Sequence, residues 1–181
     1  RLAVNQALDM KRAYKNSGTR ASWNFAGPVN IGGRVTAVAL HPDNISTFYI
    51  GAASGGIFKT EDGGTSWLPV FDDQPSLSIG DLALAPSDPD IIYVGTGEAN
   101  AGGGSISYEG LGIFRSDDGG NSWADLGLEE SGSIGRLVVH PQNPDICYVA
   151  AMGRMFSEND QRGVFRTTDG GQNWEKVLYV N

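Results

Sequence analysis

Apolar residues along this chain fall in short runs, each closed off by Gly, Pro, Asp or Asn, and the runs recur in a fixed order. Gly33-Arg-Val-Thr-Ala-Val-Ala-Leu-His-Pro42 is matched by Gly80-Asp-Leu-Ala-Leu-Ala-Pro86 and Gly135-Arg-Leu-Val-Val-His-Pro141. A second set follows: Phe48-Tyr-Ile-Gly51, Ile92-Tyr-Val-Gly95 and Cys147-Tyr-Val-Ala150. A third reads Gly56-Ile-Phe-Lys-Thr60, Gly112-Ile-Phe-Arg-Ser116 and Gly163-Val-Phe-Arg-Thr167. Short segments rich in β-branched and aromatic residues between turn formers predict strands joined by tight turns.

The third run always leads into one octapeptide: Thr60-Glu-Asp-Gly-Gly-Thr-Ser-Trp67, Ser116-Asp-Asp-Gly-Gly-Asn-Ser-Trp123 and Thr167-Thr-Asp-Gly-Gly-Gln-Asn-Trp174. A further strand-like segment follows each copy, so the octapeptide is the turn of a hairpin and every unit holds four strands. Asp62, Asp118 and Asp169 are placed to accept backbone N–H bonds across that turn. The glycine pairs Gly63-Gly64, Gly119-Gly120 and Gly170-Gly171 suit backbone conformations costly for other residues. Trp67, Trp123 and Trp174 are expected to pack between units. Units opening at Gly33, Gly80 and Gly135 are spaced by 47 and 55 residues, the length of one blade of a β-propeller. The predicted fold is therefore all-β, with blades at 33–71, 78–128 and 133–181. A closed ring takes about four to eight blades, so three are expected to belong to a larger propeller whose other blades come from the same chain or a partner chain. Ser22-Trp23 repeats the end of the octapeptide, and residues 23–32 read as the outer strand of a closing blade. Residues 1–22 form a basic leader, in which Leu2, Val4, Leu8, Met10 and Tyr14 trace a possible helical stripe.

Composition narrows the function. The 181 residues include 26 Gly and 8 Pro, and the net charge is -8, which opposes nucleic acid and anionic membrane as partners because both need a positive field. Five basic residues of the leader face Asp9 alone, so the body is more acidic than the whole. No apolar run approaches the roughly twenty residues of a membrane span. Cys147 is the single cysteine; it forbids an internal disulfide and reads as a small buried hydrophobe. His41 and His140 end matching strands. No metal-ligand spacing and no cofactor motif is present.

The pattern Ser/Thr-x-Asp-Gly-Gly-x-Ser/Thr/Asn-Trp resembles the Asp-box, or bacterial neuraminidase repeat, found in sialidases, xyloglucanases, photosystem assembly factors and sortilin/Vps10-type receptors. The surrounding residues, notably Gly32-Gly33-Arg34, Gly95-Thr-Gly-Glu98 and the His-Pro strand ends, most resemble bacterial sortilin-like repeat proteins often labelled glycosyl hydrolases. The resemblance implies a propeller whose boxes lie away from the functional face. It implies function weakly, since one fold hosts many activities.

The opposite face is built by the loop after each second strand. That loop is minimal in blade 1, Ala52-Ala-Ser-Gly55, but runs from Glu98 to Glu109 in blade 2 and from Met152 to Arg162 in blade 3. Polar loops on a rigid scaffold commonly make sites. Arg34, Asn100, Tyr108, Arg154 and Arg162 are binding candidates for a protein or glycan. Glu98, Glu109, Glu158 and Asp160 could supply the two carboxyl groups a glycosidase needs, roughly 5–10 Å apart. Against catalysis, the xyloglucanase resemblance calls for an Asp just before Gly55-Gly56, where Ala53-Ser54 stand, and the aromatic-Arg-Ile-Pro motif of sialidases is absent. Arg34, Asp81 and Arg136 share one repeat position and are expected to bridge neighbouring blades. The expectation is a secreted, periplasmic or cell-surface, sortilin-like propeller acting as a non-catalytic binding or assembly module. The alternative is a carbohydrate-active hydrolase whose site is completed by further blades.

Overall fold

The computed structural model describes residues 33–99, 108–154 and 157–179, together with Gln6, Asp9 and Arg12. These last three are helical, with Arg12 3.6 Å from Asp9. The rest of the leader and the closing strand expected at 23–32 lie outside the described residues.

Among the described residues, twelve strands form three four-stranded antiparallel sheets, each in simple sequential order. Blade 1 contains β1 (Val35–Leu40), β2 (Phe48–Ala52), β3 (Gly56–Thr60) and β4 (Leu68–Pro69). Blade 2 contains β5 (Ile79–Ala85), β6 (Asp88–Thr96), β7 (Ile113–Ser116) and β8 (Ala124–Asp125). Blade 3 contains β9 (Ile134–Val139), β10 (Cys147–Ala151), β11 (Gly163–Thr167) and β12 (Glu175–Tyr179). The outermost strand of blade 1 includes Pro69, which lacks a ladder donor and is tolerated at an edge.

Side-chain alternation decides how the blades stack. In β6, Ile92 and Val94 face blade 1 and join Tyr49, Ile57, Phe71 and Phe114, whereas Tyr93 faces blade 3 and joins Leu137, Val149 and Phe165. Both faces of the middle blade are covered, so its second strand is buried throughout from Ile91 to Thr96. The core is thus two interblade layers. Close approach needs missing side chains: a Cβ on Gly80 would be driven into the Ile134 and Gly97 carbonyls. The outward faces of the end blades stay open, with Val38 57% and Tyr148 40% exposed.

Each octapeptide closes its hairpin by one network. Asp62 Oδ1 accepts the Ser66 N–H at 2.9 Å and the Thr60 hydroxyl at 2.9 Å, while Oδ2 accepts the Ser66 hydroxyl at 2.6 Å. Asp118 with Ser122, and Asp169 with Asn173, repeat it. All six glycines of the boxes have positive φ, between 64° and 93°. Trp123 Nε1 donates to the Val70 carbonyl (2.8 Å) and Trp174 Nε1 to that of Leu126 (2.9 Å), so these indoles cross from blade to blade. Trp67, at the open end, is 40% exposed.

Candidate active site

Between blades 1 and 2, the short loop after β2, the connector from β4 to β5 and the described end of the connector leading to β7 line an open cleft of about 430 Å³, with Ser54, Ser76, Leu77, Ser78, Tyr108 and Glu109 on its walls. Its base is fixed through the Tyr108 carbonyl, which accepts the Ser78 hydroxyl at 3.1 Å and the Glu98 N–H at 3.3 Å. Gly97 N–H donates to the Ser78 carbonyl at 2.8 Å, tying the end of β6 to the interblade connector. The Tyr108 ring is 55% exposed, so an aromatic face, hydroxyl groups and a carboxylate share one open groove. Polar hydrogen-bonding groups beside an exposed ring are the recognition set for a neutral polyhydroxylated ligand.

Glu98 is not the exposed loop residue its sequence context implies. It is 1% exposed, bridges backbone-to-backbone with Ile134, and its Oε2 takes the guanidinium of Arg34 from blade 1. Its Oε1 is buried without a hydrogen-bond partner. Arg34 therefore leaves the expected Arg–Asp–Arg series, because Glu98 reaches it first. The other half of that series persists at arm's length, Arg136 Nε lying 3.8 Å from Asp81 Oδ2. Asp81 is buried and accepts the Leu137 N–H at 2.7 Å; desolvation pushes its carboxyl above the usual range, against the pull of that bond and of Arg136.

Arg154 lies between two carboxylates, 2.7 Å from Glu130 and 4.0 Å from Glu109. Arg162 turns inward to its own loop, donating to the carbonyls of Met152 at 2.8 Å and Arg154 at 3.3 Å, and so shapes that loop. Glu158 and Asp160 are exposed on that loop, and the Asp160 carbonyl accepts the Lys176 ammonium. Asn100 lies outside the described residues. Tyr108 and Glu109 meet in the cleft, while Glu158 and Asp160 do not line it. The three serines and Glu130 were not singled out from sequence: they sit in short polar connectors that carry no motif. Among the described residues no group of three His, Cys, Asp or Glu could hold a metal ion, and no helix is long and apolar enough to cross a membrane.

No family model matches the sequence. A xyloglucanase of a Paenibacillus species is 28% identical over 159 residues, covering 81% of this chain and 14% of the relative. The oligoxyloglucan-reducing end-specific xyloglucanase of Emericella nidulans is 26% identical over 162 residues, 82% of this chain and 18% of that protein. The crystal structure of the Niastella koreensis GH74 enzyme superposes with a TM-score of 0.63 at 23% identity, covering 87% of this chain and 24% of the other. This chain thus spans less than a fifth of the length of either of these two curated relatives. The structural likeness establishes three blades of a β-propeller. The named relatives are glycoside hydrolases, and they overturn the expectation of a non-catalytic binding or assembly module in favour of the hydrolase alternative.

Proposed function

We propose that these blades form one side of the substrate cleft of a glycoside hydrolase acting on a xyloglucan-type polysaccharide, with the site completed by further blades. The carrying observation is similarity to xyloglucanases along four-fifths of the chain, joined to a groove that combines Tyr108, three serines and Glu109. In this reading the Tyr108 ring stacks on a sugar face, and the serine hydroxyls hydrogen-bond its substituents. Glu109, held near Arg154, is the exposed cleft carboxylate. The repeated turn is then an Asp-box in a scaffold role, shared with sortilin-like propellers as well as hydrolases. A polymeric wall glycan as substrate fits a secreted or cell-surface protein.

Ala53 and Ser54 stand where the family resemblance calls for an Asp. Among the described residues Glu109 is the carboxylate that lines the cleft, so the partner acid or base of hydrolysis comes from blades beyond these three. Incubating the full-length protein with xyloglucan and with unsubstituted β-glucan, and counting new reducing ends, tests the reading. Release from xyloglucan supports it; intact polymer after prolonged incubation with folded protein sinks it. Glu109→Gln is expected to lower kcat if this carboxylate is catalytic, and to change only KM if it merely orients the sugar.

A further inference from the structure

Behind the cleft wall lies a carboxylate that is almost wholly shut off from solvent. Glu98 is 1% exposed, and its main chain is pinned on two sides: the N–H donates to the Tyr108 carbonyl at 3.3 Å, and the strand end bridges to Ile134 of blade 3. The carboxylate is thus fixed where blades 2 and 3 meet. Its partner, the Arg34 guanidinium, comes from blade 1 and belongs to a side chain that is 48% exposed. Three backbone bonds tie this pair to the cleft. The Arg34 carbonyl accepts the Ala53 N–H at 3.0 Å, one residue before Ser54. Gly97, one residue before Glu98, donates to the Ser78 carbonyl at 2.8 Å, and Glu98 itself holds Tyr108. Ser54, Ser78 and Tyr108 all line the groove.

Burial on one side and exposure on the other give the pair a particular chemistry. A guanidinium carries several N–H donors in a rigid plane. Arg34 commits Nη2 to Glu98 Oε2, and its other donors have no partner among the described residues. Glu98 Oε1 is buried without a hydrogen-bond partner, so Arg34 is the group that balances this carboxylate. An arginine held in this way offers a fixed fork of donors whose positive charge is already cancelled. Sugar hydroxyls ask for hydrogen bonds and no net charge, so such a fork suits them, while a uronate carboxylate gains little from it. Beyond Tyr108 the balance is no kinder to an anion: Glu109 stands on the wall, and Arg154 is shared between Glu109 and Glu130. We propose that the exposed edge of Arg34 forms the inner end of the cleft, donating to hydroxyls of an uncharged sugar, and that Glu98, by cancelling the arginine's charge, makes the cleft reject acidic glycans. Glu98 does not touch the sugar; it positions Arg34 and sets its selectivity. The inference rests on the glycan cleft of the proposed function and not on hydrolysis.

Calorimetric titration of the full-length protein tests it, with xyloglucan oligosaccharides short enough to survive incubation with the protein and with oligogalacturonates of similar length. The parent is expected to bind the neutral probe more tightly than the acidic one. Glu98→Gln keeps the side chain's shape and removes its charge. Affinity for oligogalacturonate is then expected to rise about fivefold, the worth of one charge pair near 4 Å in water, while affinity for the neutral probe does not rise. The gain should vanish at about 1 M salt and in a double variant that also carries Arg34→Gln. A parallel loss of both affinities marks a role in folding alone and overturns the proposal, as does no change in either. Arg34→Lys covers the case in which Glu98→Gln does not fold: it keeps the charge balance, loses the planar fork, and is expected to weaken the neutral probe about fivefold with oligogalacturonate still rejected. Unchanged neutral affinity in that variant removes Arg34 from the cleft. A parent that binds both probes equally, or neither, also overturns the proposal. Selective binding without new reducing ends from xyloglucan leaves it standing and sinks the hydrolase reading; new reducing ends without the shift in selectivity do the reverse.

Discussion

At the residue scale, the box aspartates show how a small motif fixes a turn. Hydrogen bonds to the ionised carboxylate, led by the Ser66 hydroxyl for Asp62 and the Asn173 amide for Asp169, hold both groups at about 2. A carboxyl whose folded value lies below its unfolded value near 4 stabilises the fold above that pH, and the contribution drains away as pH falls towards 2. Asp62→Asn is therefore expected to unfold at lower temperature than the parent at neutral pH, with the gap closing between about pH 4 and pH 2. Thermal melts of both proteins across that range check it. Cys147 behaves oppositely: burial pushes its thiol up to about 12. It is expected to resist alkylation at pH 8 until the chain unfolds, and rapid labelling of the native protein would contradict this. Gly80→Ala sets a Cβ against two backbone carbonyls, and is expected to cost at least about 1–3 kcal/mol in denaturant titrations.

At the element scale, the buried apolar clusters lie between blades. Phe71, in the segment after β4, is fully buried and packs edge-on against Phe114 at 5.5 Å and Trp123 at 5.0 Å. Phe71→Ala is expected to cost about 3–5 kcal/mol, which denaturant unfolding would register as a lower midpoint. The element pattern was legible because it repeats: three copies of one strand-turn-strand text reinforce a weak period-two signal that a single copy would leave ambiguous. The cross-blade bonds were not legible. Glu98 and Arg34 are 64 residues apart, and local sequence presents Glu98 as the first residue of a polar loop. Only stacking buries it.

At the scale of the whole molecule, the cleft arises where loops of different blades meet. Under the proposed hydrolase function, Tyr108→Ala in the full-length protein is expected to raise KM for xyloglucan oligosaccharides about fivefold, for a loss near 1 kcal/mol of aromatic contact, with kcat little changed. Steady-state kinetics decide it, and an unchanged KM would remove Tyr108 from the binding surface. Arg154 between Glu109 and Glu130 could not be read from order along the chain, because the three belong to different connectors whose lengths follow no repeat.

Sequence by itself determined the blade: four strands, a turn locked by an aspartate and two glycines, and a tryptophan projecting from its end. Those features depend on neighbours in the chain, and local chemistry enforces them wherever the text recurs. Tertiary structure alone decided which carboxylate is buried, which arginine meets it, and where hydroxyls converge on Tyr108. Such choices depend on distances between blades, and residues far apart in the chain compete for them only after the sheets have stacked.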